Sequence, residues 1–111
     1  MQSQTNGVGA QIIISRNSPK DIQMRDLYLF VDGHPEITLE YGEMVEIEQE
    51  VGNHSVRVTN RVFSQKVEFA LAEGETARFE VANVAARGLL SYLMMLVGTV
   101  PYKPTVRRIA P

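Results

Sequence analysis

The chain has 111 residues, no cysteine and a net charge of −2. That length makes one domain with a core of its own. The missing thiols exclude disulfides, cysteine nucleophiles and cysteine-ligated zinc, and the balance of charge excludes the basic surface of a nucleic-acid binder. The charge is uneven along the chain. Residues 1–50 carry three basic and nine acidic side chains, a net of −6, and residues 51–111 carry eight and four, a net of +4, which together give −2. Strands from both halves interleave in a compact β domain, so mutual neutralisation across strands is expected.

The opening MQSQTNGVG lacks the basic and apolar regions of a signal peptide and reads as a flexible tail over residues 1–9, with a cytoplasmic location as the default. A single domain is expected over residues 10–111. Period-two alternation dominates it. Ala10 to Arg16 is a β-branched run centred on Ile12, Ile13 and Ile14, broken by Asn17, Ser18 and Pro19. Asp26 to Gly33 reads as a strand with Leu27, Leu29 and Val31 on one face and Tyr28 and Phe30 on the other. Two apolar faces predict a central strand covered on both sides. Asp32-Gly33 marks a turn.

Glu36 to Glu40 is a short strand. Glu43 to Val51 follows, with Val45, Ile47 and Val51 inward and Glu46, Glu48 and Glu50 in water. After the Gly52-Asn53 turn, Val56 and Val58 point inside. Phe63, Val67, Phe69 and Leu71 share one face of the next strand. Glu73-Gly74-Glu75 turns the chain into a strand with Ala77, Phe79 and Val81 inside. Turns at this spacing predict an all-β, antiparallel sandwich of about seven or eight strands, immunoglobulin-like or prealbumin-like.

Two stretches carry a resemblance: LYLFVDG (Leu27 to Gly33), a strand closed by a Val-Asp-Gly turn, and VGNHSVRV (Val51 to Val58), a turn entering an alternating strand. With the strand pair joined through AEGE, the block from Leu27 to Asn83 resembles the PEGA-like group of small β-sandwich modules, relatives of the transthyretin-like and immunoglobulin-like folds. The tetrapeptide that names the group is absent. The resemblance implies a non-catalytic binding or spacer domain, often in envelope-associated proteins, and transfers no catalytic residue.

The segment from Gly88 to Tyr102, GLLSYLMMLVGTVPY, differs from everything before it. Its run from Gly88 to Val100 has no charge and is shorter than the roughly 20 residues of a membrane-crossing helix. A short helix is expected over residues 84–98, with Leu89, Leu90, Leu93, Met94, Leu96 and Val97 covering most of its circumference. Folding back onto the outer faces of Ile12 to Ile14 and Leu27 to Val31 would bury one side, and the other side calls for a cover. The six residues are therefore the candidate interaction site. They would serve a homo-oligomer or protein partner, or a membrane surface met by Arg87, Arg107 and Arg108. Residues 102–109 suit an edge strand guarded by Pro104 and the paired arginines.

Catalytic signals are thin. His34 and His54, both in turns, are the only histidines; His34 and Glu36 lack a third metal ligand. His54 is expected to cap its turn through the ring nitrogens. Asp21, Asp26 and Asp32 lie outside any dense calcium loop. No nucleophile elbow or phosphate-binding glycine loop occurs. The sequence thus predicts no enzyme, no cofactor and no metal site, but a protein-interaction or structural module.

Overall fold

The computed structural model describes residues 9–86, 88–98 and 102–109; the predicted tail, save Gly9, lies outside them. The described residues form eight strands and one helix: β1 (Ala10–Ser15), β2 (Leu27–Val31), β3 (Ile37–Leu39), β4 (Met44–Gln49), β5 (Gly52–Thr59), β6 (Ser64–Leu71), β7 (Thr76–Ala85), α1 (Gly88–Leu96) and β8 (Tyr102–Ile109). They build two four-stranded sheets, ordered β4-β1-β7-β8 and β3-β2-β5-β6. Alternation places Ile12, Ile14, Ala77, Phe79 and Val81 from the first sheet against Leu27, Leu29, Val56 and Val58 from the second in a single core.

Not every pairing is antiparallel, as the sequence reading had it. β1 runs parallel to β7, with Ile12 beside Ala77 and Ile14 beside Phe79. Alternation has the same period in either direction, so the pattern that located both strands could not orient them.

Other expectations fail for nameable reasons. Tyr28 and Phe30 are not covered by a further layer: the Arg61 guanidinium lies 3.7 Å from the Tyr28 ring centroid and Arg57 lies 4.2 Å from that of Phe30. Cations stacked on the ring faces let apolar residues occupy an outer surface. Val51 is exposed in the bend between β4 and β5, not inward. Phe63 precedes β6 and belongs to the connection before it. The strand before the helix extends to Ala85, so the predicted helix over 84–98 shortens to Gly88–Leu96.

Asp21 is not a solvated carboxylate. It is buried against Arg16, whose Nε donates to Oδ2 at 2.8 Å and whose third nitrogen, Nη1, donates to the Leu39 carbonyl at 2.9 Å. One guanidinium thereby joins the end of β1 to the edge strand of the other sheet. Burial without water is tolerable here because the carboxylate and the carbonyl take the place of its hydration.

Neutralisation between the halves is also limited. Among the described residues, Glu36–Arg61 is the one Arg or Lys bridge that crosses from the acidic half to the basic half. Glu75–Arg108 and Glu80–Arg107 pair within the basic half. Acidic β4 and basic β8 occupy opposite edges of one sheet, so the imbalance along the chain becomes a polarity in space.

Candidate functional site

Leu89, Leu90, Leu93, Met94, Met95 and Leu96, none of them branched at Cβ, lose little rotamer freedom in a helix, and the segment from Gly88 winds up accordingly. It stops at Gly98, whose φ of 80° suits a residue without Cβ; its N–H donates to the Met95 carbonyl at 3.1 Å. α1 carries no acidic residue in its first turn and no basic residue in its last. Its macrodipole is uncompensated by its own side chains, and an isolated helix this short is marginal in water.

The helix does not fold back over the sheets. Leu90 and Leu93 are 46% and 48% exposed, and Leu89 and Val97 reach 72% and 78%. Leu96 is also exposed, so five of the six candidate residues form one solvent-facing cluster. Met94 does not join it: at 5% exposure it is the buried pin that fixes α1 to the domain. Tyr92 and Met95, outside the predicted set, are as exposed as the leucines. The signal that would have added them is the absence of any polar face at all. Thr99 and Val100 lie outside the described residues.

The base of α1 is held by polar groups. β7 and β8 stay paired up to Ala85 and Tyr102, the rung next to the connection that contains α1. Buried Asn60 donates to Asn83 Oδ1 at 3.1 Å and to the Tyr102 carbonyl at 3.3 Å. Its own Oδ1 accepts from the N–H groups of Val62 and Phe63. One asparagine therefore fixes both the β5–β6 hairpin and the strand leaving α1.

Beside this base runs a shallow groove lined by Leu90, Val84, Ser18, Lys20, Lys103 and Glu80 among others. Glu80 is engaged by Arg107 at 2.9 Å. Lys20 and Lys103 are exposed and make no ion pair among the described residues.

The second cluster sits at the other end of the sheets. His54 Nδ1 lies 2.8 Å from Asp32 Oδ2, and Nε2 lies 2.6 Å from the Glu50 carbonyl. A carboxylate and a carbonyl are both acceptors, so the arrangement is fully satisfied when both ring nitrogens carry protons. The hydrogen bond to Asp32 first, and that to the Glu50 carbonyl next, raise the His54 pKa above its ordinary value against the opposing cost of burial. Burial would raise the pKa of Asp32, but the Ser55 N–H at 2.7 Å and the His54 ring outweigh it and hold the carboxyl low. This resembles the base-and-orienter half of a catalytic triad. Nε2, however, is turned to the Glu50 carbonyl and not toward a space from which a substrate proton could be taken. His54 straps the β4–β5 turn to the turn after β2.

His34 is exposed in its turn, and no group of three or more potential metal ligands occurs among the described residues. Comparison with family models, with curated proteins and with solved structures finds no match to this chain.

Proposed function

We propose that this chain is a non-catalytic interaction module, an immunoglobulin-like or transthyretin-like sandwich akin to PEGA-like modules, that docks through α1 by self-association or on a partner. One observation carries the reading: Leu89, Leu90, Tyr92, Leu93, Met95, Leu96 and Val97 all face water on a single short helix and its end. A soluble monomer rarely leaves a contiguous apolar patch of this kind without a use. Covering each aliphatic side chain stabilises the covered state by roughly 1.5–3 kcal/mol, which is ample driving force even after the entropy of association.

The exposed positions also separate docking from folding. Leu93→Asp with Leu96→Asp places two charges where the free domain already meets solvent. The β-sheet circular dichroism and the unfolding midpoint should persist, while association through this face is abolished. Met94 is the wrong target for that purpose, because its burial makes it part of the fold. Unfolding of the Leu93→Asp/Leu96→Asp variant would show that α1 belongs to the core of the monomer, and the docking reading would fail.

A further inference from the structure

Resting on that reading, we infer that the surface α1 docks on is an anionic lipid layer, into which the helix inserts as an apolar tip with a basic collar at its base. A protein groove covers one or two sides of a helix, and α1 is apolar on nearly every side; lipid chains cover all of them at once. The nine residues of α1 span about 14 Å, close to the depth of one leaflet of a hydrocarbon core about 30 Å thick. No helix among the described residues is long and apolar enough to cross a membrane.

The collar comes from the topology. Lys103 pairs with Val84 across β7 and β8. On the other side of β7 an isolated bridge joins Asp21 to the same Val84, which brings Lys20 alongside. Both lysines line the groove that Leu90 also lines. Tyr102, on the first rung below the connection, adds an amphipathic ring at the level where headgroups would lie. Lys20 and Lys103 are the cations of this collar, since Glu80, which lines the same groove, already neutralises Arg107, and Glu75 neutralises Arg108.

The positive charge of Lys20 and Lys103 beside an apolar tip complements phospholipid headgroups. It opposes a symmetric pairing of two copies, which would bring like collars together. Acidic β4 lies at the far edge of the sheet from β8, so the spatial polarity of charge turns the basic edge, and the tip with it, toward a negative surface.

The chain has no tryptophan, so Tyr92→Trp in the full chain places a single reporter on the exposed helix. We would measure its emission and its flotation with phosphatidylcholine vesicles and with phosphatidylcholine–phosphatidylglycerol vesicles, at low and high salt. The expected result is a blue-shifted emission quenched by brominated acyl chains, together with flotation that requires the anionic lipid and weakens in high salt. Lys20→Gln with Lys103→Gln should lower the partition about twenty-five-fold, near fivefold for each charge removed, without moving the unfolding midpoint. Leu93→Asp with Leu96→Asp should abolish binding.

Absence of a shift on anionic vesicles would overturn the lipid assignment, as would binding indifferent to headgroup charge. A blue shift that appears with protein concentration alone, without vesicles, would also overturn it, yet would leave docking through α1 standing with a second copy as occupant. An emission already blue-shifted in the dilute monomer would sink docking itself.

Discussion

At the scale of single residues, two polar pairings, a buried one of Arg16 with Asp21 and a half-exposed one of His54 with Asp32, do work that apolar packing cannot. Arg16 is fully buried and binds Asp21 through two nitrogens. Asp21→Asn leaves the guanidinium without its counter-charge and should destabilise the domain by about 3–5 kcal/mol, read as a fall in denaturant midpoint. Arg16→Met with Asp21→Leu should recover much of that loss. The His54 strap is conditional on pH. Its folded-state pKa is raised above the ordinary value of 6.5, so its stabilisation is fully present below about 6.5 and fades as pH rises through the raised value. Asp32, whose pKa is lowered from 3.8, contributes above that value and is lost in acid. The thermal midpoint of the native chain should therefore decline through and above neutrality, while that of His54→Gln stays flatter over the same window. Equal slopes would refute the strap.

None of these pairings was legible from spacing. Asp21 follows a Ser-Pro-Lys loop that looks solvated, and nothing local to Arg16 marks it as interior. The turn role of His54 could be read from Gly52-Asn53, but its partner Asp32 reaches it only once β2 pairs with β5.

At the scale of elements, alternation located the strands and failed where it broke. Ala82 and Asn83 are both buried, so β7 loses its period-two signature just before Val84 and Ala85, and the sequence reading started the helix there. The two-faced β2 looked like a strand with layers on both sides, because cation–π cover by Arg57 and Arg61 leaves no local signature. The apolar character of α1 was legible; its failure to fold back was not, since that depends on which outer faces the arginines and glutamates have already taken. Near Ile13, for example, the neighbouring strands offer Glu46 and Arg78.

The pairing of Ala85 with Tyr102 makes α1 an insertion between two antiparallel strands. Replacing residues 86–101 by Asn-Gly supplies a two-residue hairpin turn. The two-sheet circular dichroism signal should survive, with a loss of only about 2 kcal/mol for Met94 and its contacts. A chain that no longer folds would show that the helix organises the sheets and is not mounted on them.

At the scale of the whole molecule, a core shared by two sheets leaves one feature unaccounted for by folding, the apolar helix at one end, and one asymmetry unspent, the acidic and basic edges. On the proposed reading, both belong to a docking surface. Amide hydrogen exchange over residues 88–97 tests this most directly, in dilute free chain and again with anionic vesicles. The account predicts fast exchange in the free chain, far faster than in β1 and β7, and strong slowing once vesicles are added. Protection of these amides comparable to β7 in the dilute monomer would contradict it.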